Sequence, residues 1–207
     1  MPSARKQLRD LLDRRLAAVD RDEADVVAQI DAEVARRFER PLAVMITDTS
    51  GFTAQTKAHG VTSFLMKMRR LFRIAQPIIL RHGAELVKVD ADDLFVVADS
   101  ADALLQVARD LLAALDEHNA AHADFLGISI GLGYGKTLVI ERDIFGDAVN
   151  TASKLGEDIG LVSEMLATES FVAALGPENA AACTKVDHVT RGAKLPFYAC
   201  ARAQSFV

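Results

Sequence analysis

Residues 85–98 read ELVKVDADDLFVVA. Two apolar runs, ELVKV (85–89) and LFVVA (94–98), flank the acidic tetrad DADD. Each run is strand-length and β-branched, and the tetrad has turn chemistry, so the stretch predicts a tight β-hairpin. Helical patterns lie on both sides. Residues 60–82 place Phe64, Leu65, Met68, Leu71, Phe72, Ala75 and Ile79 on one side, with Pro77 expected to bend the helix and Gly83 to end it. Residues 100–122 form a second helix rich in Ala and Leu. Upstream, LAVMITD (42–48) is a short apolar strand that ends in an acid. Downstream, FLGISIGLGYG (125–135) and KTLVI (136–140) read as strands with a glycine-rich bend between them. The order from residue 42 is therefore β-α-β-β-α-β. Two consecutive strands between helices exclude a doubly wound parallel sheet and predict an α+β, ferredoxin-like core with its helices on one face.

The rest of the chain adds to that core. A short helix is expected over about 147–159, a strand near 162–168, a helix near 169–175, and strands near 183–189 and 196–202. Residues 4–38 carry apolar side chains at three- and four-residue steps from Leu8 to Phe38, with Ser3 as N-cap. As one helix this segment would be about 50 Å long. Part of its stripe then packs on a partner chain, or the helix folds back at the acidic stretch DRDEAD (20–25). Pro41 marks the boundary, giving an N-terminal helical segment (1–40) with a dimerising or signalling role and a main domain (41–207).

Composition narrows the function. The 207 residues are half hydrophobic, which excludes disorder. A net charge of −5 with no basic run gives no case for a nucleic-acid partner. The N-terminus lacks an apolar signal core, and no apolar run reaches the length of a membrane span. Cys183 and Cys200 are too few for a disulfide framework and lack metal-ligand spacing, so a cytoplasmic location is expected.

Three stretches carry candidate chemistry. Asp48 ends its strand and Asp92 sits in the hairpin, and both ends can lie at one sheet edge. Two carboxylates meeting there repel unless a cation lies between them. Mg²⁺ suits that place, since it takes hard oxygen ligands together with phosphate oxygens; solvated turn acids are the alternative. After Asp48 the turn Thr49-Ser50-Gly51-Phe52-Thr53 leads into a helix, and free N–H groups at Gly51 could cradle phosphate or simply cap the helix. In DIFGDAVNTASKL (143–155), Asn150 and Lys154 lie one helical turn apart, off the Val149–Ala152–Leu155 stripe. GLGYGKT (131–137) fails as a phosphate loop, because Ile130 stands where glycine is needed and a strand follows. His118 and His122 are four apart but lack the Glu of a zinc-protease motif; a zinc site there is a minor alternative.

Taken together, TDTSGFT (47–53), ELVKVDADDLF (85–95) and DIFGDAVNTASKL (143–155) resemble the signature of class III nucleotidyl cyclases, over roughly residues 42–203. The resemblance implies that Asp48, Asp92 and the carbonyl of Thr49 bind two Mg²⁺ or Mn²⁺ ions. Lys88 and Asp143 match the pair that reads adenine, which favours ATP over GTP. Gly51 and Phe52 border the phosphates. Asn150 orients the ribose, and Lys154 stands where the family has an Arg on the reacting phosphate. Arg191 falls near the Lys that holds the terminal phosphates. The resemblance further implies attack of the ribose 3′-hydroxyl on the α-phosphorus, at a site shared by two subunits, so that a homodimer builds two sites. Two departures stand out. Ala91 replaces the Gly before the second metal Asp, and Lys154 lacks the planar fork of Arg. The second predicts a slow cyclase or one tuned to another nucleotide. A degenerate cyclase-like domain, binding nucleotide or only dimerising, is the alternative.

Overall fold

The structure is a computed structural model that describes residues 3–49, 52–186 and 196–202, with the backbone alone for 52–59. Residues 4–38 form two helices, α1 (Ala4–Asp20) and α2 (Ala24–Phe38). The chain turns at Arg21–Glu23, inside the acidic stretch, where Asp22 takes a positive φ of 56°. The helices pack on each other, and Arg15 pairs with Asp31 across them. Ser3 caps α1 by accepting from the Lys6 amide. The apolar stripe is thus divided over a hairpin. Leu11, Ala18 and Ile30 are buried, whereas Leu12, Leu16 and Val19 stay exposed.

One eight-stranded sheet follows, in the order β2-β3-β1-β4-β6-β8-β7, with β5 paired to β4. Its strands are β1 (Glu39–Thr49), β2 (Glu85–Asp90), β3 (Asp93–Ala98), β4 (Ile128–Ile140), β5 (Asp143–Phe145), β6 (Met165–Thr168), β7 (Cys183–Val186) and β8 (Phe197–Cys200). Only β4 and β6 pair in parallel. Helices α3 (Phe52–Arg81) and α4 (Ala101–Ala121) separate β1 from the β2–β3 hairpin and the hairpin from β4. Further on come α5 (Asp147–Lys154), a π-helical turn at Leu155–Ile159, α6 (Glu169–Ala173) and α7 (Pro177–Ala181).

Several expectations change in detail. Pro41 is no boundary; it lies within β1, opposite Lys136 of β4. The β1–β3 pairing begins only at Ala43, so the missing amide of Pro41 costs no bond on that side. In α3 the non-helical backbone angles fall at Gly60, φ 77°, while Pro77 stays inside the helix. Gly83, φ 68°, follows the helix end as expected. The glycines of 131–135 do not bend the chain, because β4 runs unbroken for 13 residues.

Strand alternation explains those glycines. Ile128, Ile130 and Leu132 point into the larger core, with α3 and α4. Gly131, Gly133 and Gly135 pair with Ile46, Val44 and Leu42, on the opposite face. There α5 lies almost on the backbone. A Cβ at Gly131 would come within 1.9 Å of the Ala152 carbonyl oxygen, and one at Gly133 within 2.5 Å of that of Ala148. The expectation of helices on one face is corrected accordingly. On the second face Leu42, Val44, Ile46, Val87 and Val97 pack against Ala148, Val149 and Ala152.

Cys183 and Cys200, read as lacking a role, are paired opposite each other and joined by a disulfide between β7 and β8. Among the described residues no helix is long and apolar enough to cross a membrane.

Candidate active site

The face that carries α5 collects most of the candidate residues. Asp48, two residues beyond Ile46 in β1, shares its face by alternation. The β1–β3 register pairs Ile46 with Phe95, and continuing it sets Asp48 across from Asp93. One carboxylate oxygen each from Asp48, Asp92 and Asp93 lies within 4.8 Å of the others. Among the described residues this is the cluster able to hold a metal ion. Thr49, expected to offer its carbonyl, also donates its hydroxyl to Asp92 Oδ2. Thr47, fully buried, accepts from the Leu94 amide and ties β1 to the start of β3.

Crowded acids raise one another's pKa. Burial, then the Asp92 and Glu157 charges, push Asp48 up to about 6. Burial, then Asp92, Glu157, Asp48 and Asp90, push Asp93 up to about 7. An oxygen of Asp93 is shut from solvent with no hydrogen-bond partner. Hard carboxylate oxygens around an orphaned acceptor fit a hard divalent cation. The sequence reading missed Asp93 and Glu157. Three acids within DADD were the available signal for the first; nothing local marks the second.

The sign of these shifts yields a pH prediction. Both carboxyls have folded pKa values above the unfolded value near 4. Their protonated forms favour the fold, so metal-free protein loses stability as pH rises from about 4 through about 7. Added Mg²⁺ or Mn²⁺ is expected to raise the melting temperature more at pH 8 than at pH 5. Thermal melts in chelator and in metal at both pH values check this, and an equal shift at the two would contradict it.

The hairpin turn carries its own strain. Ala91 has φ 50°, in the left-handed region that glycine tolerates better. The departure noted in the sequence therefore has a cost. Ala91→Gly relieves roughly 1–2 kcal/mol and returns roughly 0.4–1 kcal/mol through the freer unfolded chain. A small net gain in stability is expected, read as a higher denaturant midpoint at unchanged slope.

Lys88 and Asp143 meet. A bulge between Leu86 and Lys88 sets Lys88 opposite Phe95, with its ammonium 4.5 Å from the ring centroid. Lys88 Nζ lies 2.9 Å from Asp143 Oδ1. Bulges commonly re-aim side chains beside active sites. An open groove of ≈ 460 Å³, lined by Glu85 to Val89 with Glu141 and Arg142, adjoins the pair.

Asn150 and Lys154 lie on the exposed side of α5, while Ala148, Val149 and Ala152 are buried beneath. Among the described residues neither side chain makes a hydrogen bond or ion pair. Nothing within the chain joins them to the acids. Gly51 and Arg191 lie outside the described residues, as does the side chain of Phe52. His118 and His122 stack at 4.3 Å in the last turn of α4, and His118 Nε2 stands 3.5 Å from Asp124.

No protein-family model matches the chain. An uncharacterized protein of Mycobacterium tuberculosis is 32% identical over 108 residues, which cover 52% of this chain and 28% of the relative. An adenylate cyclase of the same organism is 24% identical over 161 residues, covering 66% and 36%. The chain thus spans about a third of the length of the curated relatives it matches. The guanylyl cyclase domain of the RhoGC fusion protein from Blastocladiella emersonii superposes with a TM-score of 0.69 at 20% identity, covering 79% of this chain and 96% of that domain. The fold is that of class III nucleotidyl cyclase catalytic domains.

Proposed function

We propose that this chain, having that fold, is a nucleotidyl cyclase domain that converts a nucleoside triphosphate, ATP by preference, to the 3′,5′-cyclic monophosphate and pyrophosphate. The observation that carries the reading is the coexistence, on one sheet face, of the Asp48–Asp92–Asp93 cluster and the Lys88–Asp143 pair. A domain that served only to pack has no need of both, since clustered acids cost stability.

Lys88 donates to a ring nitrogen of adenine, and Asp143 accepts from its amino group. Guanine presents a carbonyl at that position, which Asp143 would meet with an unpaired acceptor. Asp48 and Asp92, with the Thr49 carbonyl, would hold Mg²⁺ or Mn²⁺, two ions per site. When bound, these supply Lewis-acid stabilisation of the phosphates and of the attacking oxygen. Asn150 holds the ribose so that its 3′-hydroxyl faces the α-phosphorus. Lys154 adds positive charge where negative charge builds. Because Asn150 and Lys154 are free on the outer side of α5, a second copy of the chain can bring them to the acids. A homodimer of C₂ symmetry then holds two sites. Gly51, Phe52 and Arg191 complete the phosphate end of this proposal.

Incubation of purified protein with ATP, GTP, CTP and UTP, each with Mg²⁺ or Mn²⁺, tests the reading. Cyclic AMP and pyrophosphate in equal amounts are the expected products, identified by mass. Absence of turnover with all four would overturn it. Lys154 in the place of Arg favours one second reading, a nucleotide-binding module without turnover. Saturable ATP binding with no product would support that instead.

A further inference from the structure

We propose that Asp93 is a third carboxylate ligand of the cation site, beside Asp48 and Asp92. The inference rests on the cyclase reading and adds a residue that the sequence motif does not assign.

Three observations converge. The first is placement. Asp93 opens β3, and the β1–β3 register carries it alongside Asp48 on the α5 face. Like charges directly opposite each other across a ladder destabilise it, so the arrangement needs a compensating group. The second is distance. The three acids offer oxygens within 4.8 Å of one another. Oxygens bound to one divalent ion at about 2.0–2.6 Å lie no more than about 4–5 Å apart. The third is the absence of any other partner. Asp93 Oδ1 is buried and accepts no hydrogen bond. The charged groups felt by Asp93 are Asp92, Glu157, Asp48 and Asp90, all acids. The Thr49 hydroxyl is committed to Asp92, and the Ser153 hydroxyl to Glu157. A buried acceptor among acids is costly unless a cation satisfies it.

A third carboxylate has a functional consequence. Ligand charge count tunes affinity at hard-cation sites. With three carboxylates this site binds an ion before nucleotide arrives, whereas two carboxylates lean more heavily on the substrate phosphates.

The test is a Mn²⁺ titration without nucleotide, read by electron paramagnetic resonance of the free ion. It compares the full chain with Asp93→Asn, Asp93→Ser and Asp48→Asn. Melting curves establish that each variant is folded, and the Mn²⁺-dependent rise in melting temperature gives a second readout. Wild type is expected to bind Mn²⁺, and each Asp93 variant to bind about tenfold more weakly or worse. Two Asp93 variants are used so that one failing to fold leaves the other to decide. If both bind as wild type while Asp48→Asn does not, Asp93 is no ligand and the cyclase reading stands. Tighter binding by the Asp93 variants would overturn the proposal equally, showing that Asp93 only repels its neighbours. If wild type binds no Mn²⁺, or Asp48→Asn leaves binding unchanged, the metal site itself fails, and the proposal with it.

Discussion

Asp48→Ala is expected to lower cyclisation by at least about 10³-fold, the scale of losing a principal charge-stabilising group. The structure adds a condition that separates chemistry from folding. Asp48 makes no ion pair among the described residues, and burial and neighbouring acids hold its carboxyl up to about 6. Removing it relieves repulsion at pH 8 rather than breaking a favourable contact. The metal-free variant should therefore melt at the same temperature as wild type or higher, while its turnover collapses. Product formation by mass, with melting curves in chelator, reads both quantities. Lost activity together with a lowered melting temperature would make Asp48 a structural residue and remove the metal role from it.

Lys154→Arg is expected to raise the rate by about 10- to 100-fold. Lysine offers one compact charge, whereas arginine offers a planar fork that grips phosphate through paired hydrogen bonds. Residue 154 is exposed near the end of α5, with no partner among the described residues to be disturbed. Lys and Arg have nearly equal helix propensity, so stability should not move. Rates of cyclic product at saturating ATP give the answer. If wild type is silent and the variant turns over, the domain is a degenerate cyclase one substitution from activity. A lower rate in the variant would mean that this site is shaped around lysine, and the role given to Lys154 would have to change.

The hairpin at 85–98 was legible because alternation and turn chemistry agree there. Asp48 and Asp92 could be placed at one edge for the same reason. The glycines of β4 were not legible. A glycine in a strand reads equally as a bend or as room for another backbone, and only the position of α5 decides. The N-terminal stripe has one periodicity throughout, so nothing in it told whether the helix continues or turns at Arg21–Glu23; the positive φ of Asp22 is the event that decides. Asp93 was hidden by the alternation rule itself. Adjacent strand residues point to opposite faces, so Asp92 and Asp93 read as diverging. The tight turn at Ala91–Asp92 lets both reach one cluster. Lys88 and Asp143, 55 positions apart in sequence, could be paired only through the family resemblance, and the structure brings them to 2.9 Å.

The central claim is that one protomer's acids and the other's Asn150 and Lys154 make a single catalytic site. Mixing Asp48→Ala with Asn150→Ala protein tests it directly. Each variant alone should be inactive, because both sites of its homodimer lack a part. In an equimolar mixture about half the dimers are mixed, and each of these holds one complete site of two, so about a quarter of wild-type activity should return. A mixture as inactive as its components, in protein shown by sedimentation to exchange subunits, would contradict the shared site.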